Sequence, residues 1–237
     1  MIALNSKLSV KQIRDIFIGI YEREDEFILD KSGRRVIELV GAQFIADELT
    51  IFGELNEDYA FREIRWYNCM SLNVHSMEGG VPTQWLKSAD TQGFINSNYG
   101  WVIFHPDNGN QYKNVIQELT SNPYSRRAVM IYNRPQMWVD YKKDGRNDFM
   151  CTSDVQYIIR DNEVHCIVNM RSNDAIWGYK NDRFWQNYVH DLVIEDLRDA
   201  GMPVEKGQLI WNAGSLHIYD RHFNLIDDFI KNEYKGR

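Results

Sequence analysis

One stretch constrains the fold of this chain more than any other: CTSDVQYIIRDNEVHCIVNMRS, residues 151–172. It reads as two strands joined by a turn at Asp161–Asn162, where two turn-forming residues meet. A hairpin pairs its strands antiparallel, so an all-parallel sheet is excluded. The flanking segments mix both periodicities. Ser9 with Gln12 is a capping-box pattern, and Ile13, Ile16, Phe17 and Ile20 then space an amphipathic first helix. Residues 34–46 (RRVIELVGAQFIA), 126–133 (RRAVMIYN) and 207–220 (GQLIWNAGSLHIYD) read as strands. Residues 56–70 (NEDYAFREIRWYNCM) and 221–232 (RHFNLIDDFIKN) read as helices. The strongest helix is 183–201, with Phe184, Tyr188, Leu192 and Leu197 near one face and Gly201 placed to end it. Without strict βαβ alternation, this is an α+β protein with a mixed or mostly antiparallel sheet flanked by helices.

Five prolines, no Gly/Ser-rich tract and no internal repeat leave no linker, so a single domain over 1–237 is expected. No apolar run approaches the ~20 residues that cross a membrane. The N-terminus lacks a basic segment followed by an apolar one, so no secretory leader is expected. Three cysteines, with no C-x-x-C pair, argue against a disulfide framework or a zinc site and for a reducing compartment such as the cytoplasm. A net charge of −7 speaks against direct binding of nucleic acid. It leaves room for a small anion held by a few arginines.

No P-loop, dinucleotide fingerprint, H-E-x-x-H or G-x-S-x-G pattern is present. What stands out is Cys151, at the mouth of a strand among Asp148, Thr152, Ser153 and Asp154 rather than among aliphatics. A reactive thiol needs partial access and positive surroundings. Cys69 and Cys166 read as packing residues. Three clusters have candidate chemistry: Arg126–Arg127; Arg171, Ser172 and Asp174; and His217 with Tyr219, which share one strand face. Each alone has an ordinary reading, as solvated surface or as satisfied core polar groups.

Taken in order, S-R-R, the strand-start cysteine, V-Q-Y, R-S-x-D and G-x-x-H-x-Y resemble the thymidylate synthase superfamily from about residue 10 to residue 225. Longer phrases, among them IFGELNEDYAFREIRWY, INSNYGW and NMRSNDAIWGYKNDRFWQ, are similar to the deoxycytidylate (dCMP) hydroxymethylases of bacteriophages within it. The resemblance implies a sheet-mediated homodimer and covalent catalysis with 5,10-methylenetetrahydrofolate. Cys151 would add to C6 of the pyrimidine, activating C5 toward the one-carbon unit. Arg171 would favour the thiolate and, with Ser172, hold the nucleotide phosphate. Arg126 and Arg127 would reach the neighbouring subunit's phosphate site. Lys31 stands where relatives carry a phosphate-gripping arginine, supplying charge without the bidentate fork. His217 and Tyr219 would hold the deoxyribose hydroxyl, Asp174 and Trp85 the folate, and Glu63 would organise water and move protons. A phage role would make the product a precursor of modified DNA, with other nucleotide-synthesis enzymes as partners.

The base-reading position separates the members. Where synthases carry the asparagine of G-L-P-F-N, this chain has GYKND, and a gapless match puts Asp182 there. A carboxylate accepts from the 4-amino group of cytosine, and one shared proton on Asp182 or N3 completes the pair, whereas an ionised Asp facing uracil O4 sets acceptor against acceptor. A slip of one residue, to Asn181, would restore uracil. M-C-T replaces P-C-H, M-R-S replaces Q-R-S, and the chain ends KNEYKGR without an apolar tail. A looser cap admits water to the C5 methylene, giving 5-hydroxymethyl-dCMP. A dCMP methyltransferase, a dUMP-directed enzyme and a catalytically silent nucleotide-binding dimer remain as alternatives.

Overall fold

The computed structural model describes residues 8–23, 27–30 and 33–235, with side chains to 232. In chain order the strands are β1 (Leu8–Ser9), β2 (Ile28–Leu29), β3 (Arg35–Ile45), β4 (Val129–Ile131), β5 (Thr152–Arg160), β6 (Glu163–Met170), β7 (Asn173–Asp174) and β8 (Glu205–Tyr219). The α-helices are α1 (Val10–Arg23), α2 (Glu57–Asn68), α3 (Thr83–Ser88), α4 (Tyr99–Phe104), α5 (Gln111–Ser121), α6 (Met137–Asp140), α7 (Gly178–Asp199) and α8 (Phe223–Lys235). The contacts divide the chain into two compact units. The first comprises Met1–Leu55, Ile167–Val189 and Gln208–Arg237, the second Asn56–Cys166 and His190–Gly207.

In the first unit the strand order is β1–β3–β8–β6, with β8 from Gln208 and β6 from Ile167 onward. Strand β3 runs antiparallel to β8, with Val36 opposite Tyr219 and Ile45 opposite Ile210. Strand β1 joins β3 in parallel, as β7 joins β8, so the sheet is mixed as expected. The capping box forms: Ser9 N donates to Gln12 Oε1 at 2.9 Å, and Gln12 N to Ser9 Oγ at 3.2 Å. Helix α1 then buries Val10, Ile13, Phe17 and Ile20. Ile16 is a correction, because it lies 38% exposed. Its place on the buried stripe goes to Arg14, whose guanidinium donates to Glu48 Oε2 and Ile51 O. An arginine can lie buried when its donors are all turned to local acceptors.

In the second unit β4 pairs antiparallel with β5, Val129 opposite Gln156. At the hairpin turn Asp161 and Asn162 have φ of 50° and 65°. Two consecutive left-handed residues are what a two-residue turn between twisted strands demands, and Asp and Asn tolerate them. Helix α2 starts where Asn56 accepts from Tyr59 N at 3.0 Å. Its Trp66 and Tyr67 begin a line of packed rings through Tyr99 to Tyr132, with centroids 5.1–5.4 Å apart.

Helix α7 differs from expectation in two ways. It starts at Gly178, five residues before the expected Arg183, because Asp174 Oδ1 accepts from Ile176 N and Trp177 N and winds the preceding turn. Its buried stripe is Trp185, Val189, Val193, Ile194 and Leu197, while Phe184, Tyr188 and Leu192 flank it half-buried. The helix ends before Gly201, at φ 85°, as expected. Cys69 is another correction: it sits at the C-cap of α2 and is exposed. Cys166 is fully buried, and burial pushes its thiol up to about 12.

Candidate active site

Cys151 lies immediately before β5, half-buried, with Sγ 4.0 Å from Phe149 O. The segment leading to it is held by a carboxylate. Asp148, buried, accepts from Asn96 N at 2.6 Å, Ser97 N at 2.8 Å and Ser97 Oγ at 2.6 Å. Asn96 Nδ2 donates in turn to Asp148 O at 3.0 Å. Asp148 is therefore an anchor of the loop, not part of an open polar mouth, and burial raises its pKa despite those donors. The INSNYGW phrase thus has a local purpose, supplying the groups that fix the backbone three residues before the cysteine.

Glu63, on α2, is buried and accepts from Tyr59 Oη at 2.5 Å and from Trp85 Nε1 at 3.2 Å. Trp85 Nε1 also lies 3.0 Å from Tyr59 Oη. Burial pushes the carboxyl up to about 7, against both donors. A carboxyl poised near neutrality both takes and returns protons, which is what general acid–base work requires. Tyr59 was missed in the sequence, although its i, i+4 spacing from Glu63 puts the two on one helix face. Arg126 and Arg127 are exposed in the same unit. Arg127 donates through Nε and Nη2 to Glu118 Oε1 at 3.1 and 3.0 Å. Glu118, which accepts first from Ser125 Oγ, titrates below its ordinary range.

The remaining residues of interest lie in the first unit, except that Lys31 falls outside the described residues. Arg171 is exposed and Ser172 half-buried, just after β6. The backbone there passes close to β8: a Cβ on Gly214 would stand 2.8 Å from Arg171 O, which explains the glycine of G-x-x-H-x-Y. Asp182 Oδ2 accepts from Asn173 Nδ2 at 2.8 Å, and Asn173 Oδ1 from Trp211 Nε1 at 3.2 Å. Asp174 faces Arg221, Oδ2 to Nη2 3.7 Å, and the half-exposed Trp177 indole follows it with Lys180 Nζ 4.1 Å from the ring centroid.

On β8, His217 and Tyr219 stack edge to face at 5.0 Å. Ser215 bridges His217 Nδ1 at 3.2 Å and Glu38. Glu38 stands opposite His217 across the β3–β8 ladder, a relation that only the strand register reveals. Burial lowers the His217 pKa, while Asp174 and Glu38 oppose the shift. The neutral ring therefore prevails at pH 7, with Nδ1 assigned to Ser215. Among the described residues no group of three or more His, Cys, Asp or Glu could hold a metal ion.

Comparison with known proteins agrees with this architecture. The thymidylate synthase family model matches residues 49–236. The deoxycytidylate 5-hydroxymethyltransferase of Enterobacteria phage T6 is 47% identical over 244 residues, covering 98% of each chain. Its namesake from phage T4 is 47% identical over 230 residues, covering 96% of this chain and 93% of that one. Thermostable thymidylate synthase A from Bacillus subtilis superposes with a TM-score of 0.67 over 90% of this chain and 81% of its own, at 22% identity, which bears on the fold alone. With a family model spanning most of its length and relatives of nearly half-identical sequence, the chain belongs to the thymidylate synthase family.

Proposed function

We propose that the protein is a deoxycytidylate 5-hydroxymethyltransferase that uses 5,10-methylenetetrahydrofolate. Near-full-length identity with phage enzymes of that name carries the reading. The carboxylate of Asp182, held as an acceptor by Asn173, supports cytosine as the base. In this reading Cys151 adds to C6 and makes C5 nucleophilic. The folate, when bound, supplies an electrophilic one-carbon unit. Glu63 moves protons at the pyrimidine and orders water, and Trp85 holds Glu63 rather than serving the folate alone. Loss of the C5 proton would release tetrahydrofolate and leave a methylene on C5; water would then add to that methylene carbon, and departure of the thiolate from C6 would restore the ring. Arg171 and Ser172 take the phosphate, and Lys31 adds positive charge to it. His217 and Tyr219 take the deoxyribose hydroxyl.

Asp174 and the adjacent half-exposed Trp177 fit a planar heterocycle bearing N–H donors, as a pterin does. The exposure of Arg126 and Arg127 supports their acting across a homodimer interface. The whole chain then works as one catalytic domain in the host cytoplasm, alongside other nucleotide-synthesis enzymes and without binding nucleic acid itself. No helix among the described residues is long and apolar enough to cross a membrane. Mass spectrometry after incubation with the folate and equimolar dCMP and dUMP tests the reading. Hydroxymethylated dCMP is expected. Methylated dCMP would overturn water as the final nucleophile, and modified dUMP would overturn the base assignment.

A further inference from the structure

Asp182 is tied through one oxygen to a neighbouring amide. It stands in the second turn of α7, where Oδ2 accepts from Asn173 Nδ2 at 2.8 Å. A side-chain amide has two orientations differing by a half-turn, and only its neighbours select one. Trp211 makes the selection. An indole N–H donates only, and Nε1 lies 3.2 Å from Asn173 Oδ1. Turning the amide over would set N–H against N–H at Trp211 and oxygen against oxygen at Asp182. Asn173 is 2% exposed and Trp211 0%, so water would relieve neither clash. Gly178 leaves room for the arrangement, because a Cβ there would lie 3.0 Å from Asn173 Nδ2.

A fixed donor on Oδ2 favours the ionised carboxylate and pins its plane. An ionised carboxylate accepts only. It suits the 4-amino group of cytosine and opposes O4 of uracil. We propose that Asn173, oriented by Trp211, is the positioning residue that sets pyrimidine specificity by keeping Asp182 an obligate acceptor. The inference rests on the proposed function, in which Asp182 faces the base.

The test compares dCMP with dUMP by kcat/KM, read as release of tritium from C5 of each labelled nucleotide with 5,10-methylenetetrahydrofolate. Asn173→Asp keeps the shape and the acceptor for Trp211 but replaces the donor facing Asp182 by an acceptor, forcing a proton between the two carboxyls. Sharing that proton takes charge off Asp182, so its oxygen facing the base accepts more weakly from the 4-amino group and repels O4 less, and kcat/KM for dUMP should rise while that for dCMP falls. The dCMP-to-dUMP ratio should drop about tenfold to hundredfold, the range of one charge-assisted hydrogen bond. Damage alone cannot raise activity on dUMP. Trp211→Phe, which frees the amide to turn over, should lower the ratio by about threefold to tenfold, a part of the same hydrogen-bond range. Equal losses on both substrates in both variants would overturn the proposal. Should Asn173→Asp fail to fold, Trp211→Phe decides alone. Should a variant lose turnover, the ratio of dCMP to dUMP binding by titration calorimetry decides by the same criterion. An unsubstituted protein that prefers dUMP would overturn the base assignment and this inference with it. An unsubstituted protein that prefers dCMP, with variants that keep the ratio, would overturn the relay alone.

Discussion

Glu63 and Asp182 are two carboxylates each tied to a tryptophan N–H, one directly and one through an amide. Trp85 donates straight to Glu63, which is buried and titrates at about 7. Trp211 reaches Asp182 only through the amide of Asn173, and Asp182 is half-buried. For Glu63, desolvation outweighs two donors, and the group is left able to exchange a proton at neutral pH. For Asp182, which is half-buried, a fixed amide N–H holds Oδ2 as an acceptor. In the proposed reading the same donor chemistry serves a proton carrier at Glu63 and a template at Asp182, the difference lying in how much water each carboxylate retains.

The largest expected effect lies outside the pair and sets its baseline. Cys151→Ser should reduce turnover by about 10⁴-fold or more while calorimetry still finds dCMP bound, since only the nucleophile is lost. Retained turnover would remove Cys151 from the mechanism. Glu63→Gln, which keeps acceptors for Tyr59 and Trp85, should lower kcat by roughly 10²–10⁴-fold, the usual worth of a general acid–base group.

The same variant has a signature in stability. A carboxyl raised from 4.5 to about 7 holds, between those pH values, a proton that the unfolded chain has lost. Its contribution therefore declines as pH rises through that window, by about 3 kcal/mol at completion. Glu63→Gln should be more stable than the parent above pH 7, with the advantage vanishing toward pH 4, as thermal denaturation at several pH values would read. Asp182→Asn should turn the kcat/KM preference from dCMP toward dUMP by about 10²-fold, since an amide can donate to O4. Trp85→Phe should have the smallest effect. Removing a donor that lowers the Glu63 pKa should raise the pH limb that this group governs by about one unit, with a modest loss of kcat. An unmoved limb would dissolve the contrast between the two carboxylates.

Much of this was legible in the sequence, because it rests on local signals. The hairpin turn at Asp161–Asn162, the Ser9–Gln12 capping box and the long β3 and β8 strands all follow from residues near one another in the chain. Cys151 at its strand mouth was legible for the same reason. What escaped depends on partners distant in sequence. Glu38 meets Ser215 only through strand register, Asp148 meets Asn96 and Ser97 across about 50 residues, and Trp211 finds Asn173 across 38. The buried arginine on α1 and the early start of α7 escaped because side-chain hydrogen bonds, not hydrophobic spacing, decide both. Cys69 escaped because apolar neighbours in sequence do not guarantee burial at a helix end.

Gly214 touches no chemistry, yet the space it leaves is filled by the carbonyl of Arg171. Any side chain placed at position 214 would therefore meet backbone crowding. Alanine, the mildest change at most sites, would shift the arginine loop by pressing a methyl group against its backbone. In the proposed reading, a mutational survey that ranked positions by activity alone would score Gly214 beside Cys151, Arg171 and Ser172. It would mark the thickness of one hydrogen atom as part of the enzyme's working design.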